Sequence, residues 1–356
     1  MKFFNAMMTV IFLGLASSSQ LLAVEKIVTD SPKNKLPPLH RAIIDNDVKK
    51  VLELINKGAD VNQLDSLMGN APLHIAAQGN NPKMIEILLS KGAFVNLQTP
   101  RSGQTPLMIA SWYNKPENIK ALLKAKDINI FLRSPHGGAM AKDWIGGWDK
   151  NQTENEKLRN KELSDIFETY ERELQTKIVE QKIYQVVVNP NMAEQEKEAE
   201  VKKFIEAKEP VNTESFVTST GNDKHSALLV AARDDYPNIV KMLIDAGADI
   251  GQRGYMMNAI AFHKAGYKGN PEVMKLLINH KDAQKYINDQ GPNNGYTPLH
   301  DAIWHGHSET AKLLIEAGAR LDIKNYENDT PLDMAKRYHY DDIVALILKK
   351  KQEVSR

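Results

Sequence analysis

Histidine is the residue type best suited to acid–base chemistry or metal binding in this sequence, and the chain carries 10 of them. His305 and His307 stand two positions apart, as two ligands of one metal ion can. The segment 306–309, Gly-His-Ser-Glu, is however typical of a turn that enters a helix, which would direct the two rings to different sides. The other histidines show no ligand spacing: His40, His74, His136, His225, His263, His280, His300 and His339. The sequence therefore predicts no metal site.

The sequence also lacks the common motifs of nucleophilic and phosphate chemistry. There is no cysteine, which excludes disulfides, thiolate metal sites and cysteine nucleophiles. Neither a Gly-x-Ser-x-Gly elbow nor a phosphate-binding glycine loop occurs. Segment 251–254, Gly-Gln-Arg-Gly, lies outside any strand–helix unit and indicates an outward loop. We therefore expect no catalytic residues, no cofactor and no enzymatic activity; an active site that includes residues 149–200 is a minor alternative.

Composition limits the class of protein further. Of the 356 residues, 42% are apolar and 26% are charged, which is enough to bury one large core or two ordinary ones. The 46 basic and 45 acidic residues leave a net charge of +1. A nucleic-acid ligand would favour a strong basic excess, and so would an anionic membrane, so neither is expected as a partner.

The N-terminal residues predict export. Lys2 precedes an apolar run at 3–16, followed by three serines and then Leu21-Leu22-Ala23, which is the pattern of a secretory signal peptide. Cleavage after Ala23 is the first choice and cleavage after Ser18 the second, while a retained membrane anchor is the alternative. Because a cysteine-free chain is ordinary in the bacterial periplasm, we expect secretion across the inner membrane, a periplasmic location and no membrane attachment after cleavage.

Two short motifs recur along the chain in a fixed order. The first contains a proline followed by leucine and, usually, histidine and alanine, and it occurs at 36–42, 70–77, 103–110 and 295–302. The first three of these prolines are spaced by 34 residues. The second motif, Gly-Ala-x-Val/Leu-Asn/Asp, begins 20 residues after the proline, at 58–62, 92–96 and 318–322. An amphipathic helical run separates the two motifs in each copy.

This pattern resembles the ankyrin repeat, in which Thr-Pro-Leu-His-x-Ala opens a first helix and Gly-Ala-Asp-Val-Asn follows a second. Thr105, Thr297 and Thr330 precede proline, where a hydroxyl caps a helix and proline fits its first turn. The resemblance implies an all-α solenoid of helix-turn-helix units with outward loops. It also implies protein binding on the loop tips and on the concave face of the first helices.

The same template identifies further copies and suggests domain boundaries. Additional copies open at 226–232, 258–261 and 329–335, and the 258 copy is expected to have a long turn at 266–271. Segments 140–145 and 201–212 look like decayed copies. The predicted organisation is a signal peptide at 1–23, a linker at 24–35, a repeat block at 36–148, an irregular helical section at 149–224 and a second block at 225–356.

The irregular section has a helical pattern of its own. Leu163, Phe167, Tyr170, Leu174 and Ile178 are spaced to share one face of a long helix, and residues 194–203 are charged and helix-favouring. Three interpretations stay open: an elongated, decayed repeat that still stacks, an insertion that forms part of a partner site, or a hinge. Trp144 and Trp148 are expected to fill the join at the decayed 140–145 copy.

Candidate partner-binding residues follow from the resemblance and from side-chain type. Aromatic and arginine side chains contribute much of the energy of protein interfaces. At predicted loop tips and first-helix ends, such residues, with one histidine, are Arg101, Trp112, Tyr113, Arg133, Arg253, Tyr255, Trp304, His305 and Tyr326. The expected function is an exported, periplasmic protein-binding scaffold or accessory protein. The alternatives are an immunity or inhibitor protein that neutralises a toxin or enzyme in the same compartment, and a host-directed effector.

Overall fold

The computed structural model describes residues 32–135, 137–147, 152–255 and 258–354. The predicted signal peptide, most of the predicted linker, His136 and Trp148 lie outside the described residues. The described part of the chain is helical and contains no strand. It divides after Phe167 into two compact units, which we call unit 1 (to residue 167) and unit 2 (from residue 168).

Unit 1 is built from three complete helix pairs. The paired helices are α1 (Pro38–Ile44) with α2 (Val48–Asn56), α3 (Pro72–Gln78) with α4 (Pro82–Ser90), and α5 (Pro106–Trp112) with α6 (Pro116–Leu123). The decayed 140–145 copy is reduced to one 3-10 turn, Ala141–Trp144, which packs on α5. The long helix α7 (Glu154–Glu180) begins in unit 1, where Leu163 and Phe167 are buried, and the unit boundary falls within it.

Unit 2 continues the same construction. Its helices after α7 are α8 (Lys182–Val188), α9 (Glu194–Glu206), α10 (Ala227–Asp234), α11 (Pro237–Asp245), α12 (Ala261–Lys268), α13 (Pro271–Ile278), α14 (Ala283–Tyr286), α15 (Pro298–Trp304), α16 (Ser308–Glu316), α17 (Pro331–Arg337) and α18 (Asp341–Val354). Helices α8 and α9 pack on each other and on α10 and α11, so residues 182–206 form a stacked helix pair. One continuous apolar core joins these pairs, from Ile183 to Ile347.

The local sequence explains where the first helices begin. The Thr105 hydroxyl accepts a hydrogen bond from the Met108 amide at 3.2 Å, and the Thr330 hydroxyl accepts one from the Asp333 amide at 3.3 Å. Each threonine therefore satisfies an amide that the first helical turn leaves free. The prediction of threonine caps followed by proline is confirmed at these helices.

The second helices end as predicted at a left-handed glycine. Gly92 and Gly318 have φ values of 88° and 92°, a backbone region that strains other residues. The asparagine that closes the second motif has a role that the sequence analysis missed. Asn62 donates to the Gly92 carbonyl at 3.0 Å and accepts from the Phe94 amide at 2.8 Å, so its amide group joins one copy to the next.

The predicted long turn at 266–271 was wrong. Helix α12 continues to Lys268, so Gly266 lies inside the helix and the turn consists of Gly269 and Asn270. A Cβ atom at Gly266 would lie 2.5 Å from the Pro298 carbonyl oxygen. Glycine is needed at this position because α12 and α15 approach closely, not because a turn begins there.

Candidate partner-binding groove

The first helices can be compared at equivalent positions. The fourth residues of these helices are, in unit 1, Arg41, Ile75 and Ile109, and in unit 2, Val230, Lys264, Asp301 and Met334. The seventh residues are, in unit 1, Ile44, Gln78 and Trp112, and in unit 2, Arg233, Tyr267, Trp304 and Arg337. Equivalent positions therefore carry different chemistry, and unit 2 concentrates charged and aromatic side chains at them.

Unit 2 contains a cavity of about 410 Å³. Helices α10, α12 and α15 and the outward loop at 291–294 line it. Its polar and aromatic lining includes Arg233, His263, Lys264, Tyr267, Lys268 and Asp301. We call this cavity and its aromatic border, Tyr267 and Trp304, the unit 2 groove. Its volume lies within the range typical of sites for small ligands or single side chains.

Positive charge predominates among the ionised side chains of the groove. The Arg233 guanidinium donates to both carboxylate oxygens of Asp234, at 2.6 and 2.7 Å, so its planar fork is already occupied. The Lys264 ammonium is half-buried; burial and the neighbouring Arg233 charge lower its pKa. Lys268 is exposed at the end of the same helix. Among the described residues, neither lysine is within ion-pair or hydrogen-bond distance of a partner.

Asp301 is the most unusual group in the groove. Its side chain is 8% exposed, and burial raises the pKa of the carboxyl to about 8, although the Lys264 charge opposes this shift. No described residue donates a hydrogen bond to it. At neutral pH the carboxyl therefore holds its proton and can act as a hydrogen-bond donor.

The buried histidines fasten one copy to the next. His263 Nε2 lies 3.1 Å from the Tyr296 carbonyl oxygen, and burial lowers the pKa of this histidine. In unit 1, His74 Nε2 lies 2.9 Å from the Leu97 carbonyl oxygen, and burial lowers its pKa to about 4. His74 also makes a local hydrogen bond, because its Nδ1 accepts from the Ala71 amide at 3.1 Å. These rings are neutral structural links at neutral pH.

Aromatic side chains border the cavity. Tyr267 is 46% exposed and Trp304 is 42% exposed, and their rings meet edge to face at 6.3 Å. His305 lies 4.2 Å from the Tyr267 ring, and the Trp304 ring also meets the Tyr296 ring at 5.6 Å. Packing against each other holds these rings in place while leaving their outer surfaces accessible. Such preordered aromatic surface is well suited to protein contacts.

Two of the predicted partner-binding arginines have intramolecular roles. Arg253 donates to both carboxylate oxygens of Asp289, at 3.0 and 2.5 Å, and to the Asn258 carbonyl at 2.9 Å. Arg133 is exposed and donates to the Gly138 carbonyl at 2.8 Å, within its own loop. Neither guanidinium is simply a free loop-tip group, although their part in partner binding stays a prediction.

The other predicted residues are distributed over both units. Trp112 is half-buried and meets Trp144 edge to face at 5.2 Å, so Trp144 packs at the join, where it was expected. Tyr113, next to Trp112, is 42% exposed. Arg101 is exposed. In unit 2, Tyr255 is 45% exposed with Lys224 near its ring, and Tyr326 is 66% exposed. Only Trp304 and His305 lie at the groove.

The sequence analysis missed Lys264, Tyr267, Lys268 and Asp301. A usable signal was present, because among the described first helices of unit 2 the fourth position is apolar at Val230 and Met334 and carries a charge only at Lys264 and Asp301. In the described parts of the chain, no cluster of histidine and acidic residues could hold a metal ion. Within those same residues, no helix has both the length and the apolar character to cross a membrane.

Comparison with known proteins accounts for the helix pairs that form this groove. The family model for ankyrin repeats matches residues 39–132, 228–325 and 262–356, which together cover more than half of the chain. The chain belongs to the ankyrin-repeat family. Proteins of this family generally bind other proteins, and the repeats are typically non-catalytic.

The relatives share the repeats rather than whole-chain architecture. An ankyrin repeat protein of Fowlpox virus is 30% identical over 37% of this chain and 39% of its own length. A tyrosine-protein kinase of Hydra vulgaris is 30% identical over 38% of this chain but only 17% of its own length, and the similarity is confined to the repeats. Ankyrin repeat and SOCS box protein 3 of Homo sapiens is 30% identical over 31% of this chain and 21% of its own length. The chain thus spans well under half the length of these relatives.

Proposed function

We propose that this protein is an exported, periplasmic protein-binding scaffold that holds its partner in the unit 2 groove. The observation that supports this most directly is a pair of exposed rings in contact, Tyr267, which lines a preformed cavity, and Trp304, which packs edge to face against it. Family membership supports protein as the ligand class. Because the helices are already ordered, binding would cost little conformational entropy.

The proposal of export rests on the sequence of the N-terminal segment, with Lys2, the apolar run 3–16 and the small residues that follow. The absence of cysteine fits a periplasmic chain, since no thiol is exposed to oxidation there. A mature chain that begins near Val24 would retain every helix that the structure describes in the two units. Loss of the N-terminal segment therefore leaves the proposed groove intact.

The test is purification of the tagged full chain from its source organism after gentle release of the periplasm. The mass of the N-terminus is read in the same experiment. We expect one stoichiometric partner and a mature start near Val24. An inhibitor role predicts that the partner is a toxin or enzyme whose activity the chain suppresses. An intact Met1 with no periplasmic partner would contradict export and point to a host-directed effector.

Two variants locate the binding surface. Replacing Tyr267 and Trp304 together by alanine should weaken partner binding at least about tenfold, because exposed aromatic anchors typically dominate interface energies. Leu348→Ala is the control, since Leu348 is a similarly exposed apolar residue (42%) on α18, outside the groove. Equal partner affinity of the double variant and the control, with both folded, would exclude the groove as the binding site.

A further inference from the structure

The chemistry of the unit 2 groove departs from the pattern of its own repeats. The fourth residue of α10 is Val230 and that of α17 is Met334, and both are buried in the core. The first helices of the two repeats between them are α12 and α15, and there the same position holds Lys264 and Asp301. Packing of these helices needs only an apolar side chain at this position, and in unit 1 only Arg41, in the first described repeat, departs from it. Charged residues in two successive repeats of unit 2 therefore need another explanation.

These two side chains also have no hydrogen-bond partner among the described residues. The half-buried ammonium of Lys264 and the buried carboxyl of Asp301 attract each other, yet no ion pair joins them, and no other described residue bonds to either. Their polar atoms keep some accessible surface at the cavity, where a hydrogen-bond partner from a ligand would be favourable. Both groups line the same cavity, so a ligand in that cavity would reach both.

The sign of the ligand follows from the groove charges. Lys264 and Lys268 are cations without a partner, whereas the Arg233 charge is balanced by Asp234. Burial holds the pKa of Asp301 at about 8, so at neutral pH its carboxyl adds a donor rather than a negative charge. The groove therefore offers hydrogen-bond donors and net positive charge to whatever enters it. An anionic group with oxygen acceptors complements this arrangement.

The donor set favours a carboxylate over a phosphate. Bidentate recognition of a phosphate uses a free arginine fork, and here Asp234 occupies the Arg233 fork. One ammonium and one carboxylic acid match the two oxygens of a carboxylate. The rings of Tyr267 and Trp304 stand at the border of the cavity, where they would contact the residues next to that carboxylate.

We propose that the groove binds an acidic side chain of the partner protein, with Lys264 Nζ and the Asp301 carboxyl donating to its carboxylate. Tyr267 and Trp304 would contact an adjacent aliphatic or aromatic residue of the partner. This inference rests on the proposed function, because it names the chemistry that the proposed scaffold would recognise in its partner.

The probe is a displayed library of random peptides, selected against the full-length chain and, in parallel, against Lys264→Met. We expect peptides selected on the parent chain to be enriched in aspartate or glutamate next to an apolar residue, and this enrichment to disappear with Lys264→Met. A synthetic copy of the best peptide should lose at least about tenfold in affinity when its acidic residue becomes the corresponding amide. Lys312→Met, on the outer helix α16, is the matched control and should select the same peptides as the parent.

Substitutions of Asp301 provide a second test of the inference. Asp301→Asn keeps a donor and should retain most of the affinity for the acidic peptide, whereas Asp301→Leu removes it and should bind at least several-fold more weakly. Circular dichroism of each variant shows whether its helices are intact. Equal affinity of folded Asp301→Asn and Asp301→Leu for the peptide would overturn the donor role of Asp301.

The inference and the proposed function fail in different ways. Selected peptides without acidic enrichment, or acidic peptides that bind Lys264→Met as tightly as the parent, would overturn the carboxylate inference. Partner binding that is lost in the Tyr267 and Trp304 double variant but kept in Lys264→Met would likewise reject it while leaving the groove as the binding site. Partner binding that survives in the double variant would exclude the groove as the binding site, and with it the proposed function.

Discussion

Helix α5 of unit 1 and helix α15 of unit 2 begin with the same residues, Thr-Pro-Leu, and are the same length. Their fourth residues, Ile109 and Asp301, are each 8% exposed. One is apolar and fits its surroundings, whereas the other is a carboxyl whose pKa burial raises to about 8. The comparison shows that the shared residues determine the helix pair, whereas the fourth position can hold either an apolar side chain that packs in the core or an ionisable side chain.

The difference has an energetic consequence. A largely buried carboxyl destabilises the folded state, so α15 carries a cost at its fourth position that α5, with Ile109 there, does not. Sites that bind ligands commonly carry such costs because their groups are arranged for the ligand rather than for the empty fold. If Asp301 serves binding, then the same group should be costly when moved to unit 1, and its removal should stabilise unit 2.

The largest expected effect is in unit 1. Ile109→Asp should lower the free energy of unfolding by about 3–5 kcal/mol at neutral pH, because it buries a carboxylate without a cation beside it. Urea unfolding followed by circular dichroism measures the change, and Ile109→Val, expected to cost about 0.5–1.5 kcal/mol, controls for lost packing. If Ile109→Asp costs no more than the valine variant, then a carboxyl is tolerated at the fourth position in both units. The carboxyl of Asp301 would then not indicate a binding role.

The next effect should be the same in both units. His74 and His300 are buried, and burial lowers the pKa of each to about 4. Between pH 6.5 and 4 the unfolded chain binds protons that these folded-state rings do not, so stability falls as the pH is lowered. Each ring should contribute a loss of roughly 3 kcal/mol by about pH 4. Urea unfolding across this pH range measures the loss.

His74→Gln and His300→Gln separate these contributions from those of the carboxyl groups. Each variant should show a shallower loss of unfolding free energy with acid than the parent, by a similar amount. An unchanged slope in one variant alone would mean that this histidine takes up its proton without unfolding, and the two units would then differ in their links between repeats as well as in their groove.

A smaller effect of opposite sign is expected at Asp301. The folded-state pKa of about 8 lies above the ordinary value of 3.8, so the folded chain holds the extra proton between these limits. Stability therefore decreases as the pH rises through this range. Asp301→Asn should raise the unfolding free energy by about 1–3 kcal/mol near pH 7.5, less than the pKa shift alone implies because the amide is also buried. The gain should vanish near pH 4, and a gain that persists there would contradict the assigned titration.

Much of the fold followed from the sequence, because the repeat motifs act locally. Threonine before proline and glycine after the second helix determine helix boundaries through hydrogen bonds and backbone conformation, and both can be recognised in the residues themselves. The face of α7 was predicted for the same reason, since Leu163, Phe167 and Leu174 are all buried. The turn placed at Gly266 failed because the cause of that glycine is a contact with Pro298, distant in sequence.

The groove could not be predicted to the same extent. Trp304 and His305 were found because residue type and position at a helix end indicate exposure. The charge of Lys264 and Asp301 was visible, but their burial depends on how closely α12 and α15 approach and on the loop at 291–294. Likewise, the pairing of Arg253 with Asp289 joins residues far apart in the chain, so a loop-tip arginine was predicted to be available for a partner.

The smallest expected effect concerns that arginine. Arg253→Met should lower the unfolding free energy by only about 1 kcal/mol, because the pair with Asp289 is partly exposed and screened by solvent. Arg320→Met is the control, since the Arg320–Asp322 pair is more exposed and its loss should change stability less than the loss of the Arg253–Asp289 pair. If Arg253 serves only to join its loop to the next, then partner affinity should be unchanged in Arg253→Met. A fall in affinity of about tenfold or more would instead extend the binding surface from the groove to the loops. In that case the contrast between the two units would rest on their loops as well as on the fourth residues of their first helices.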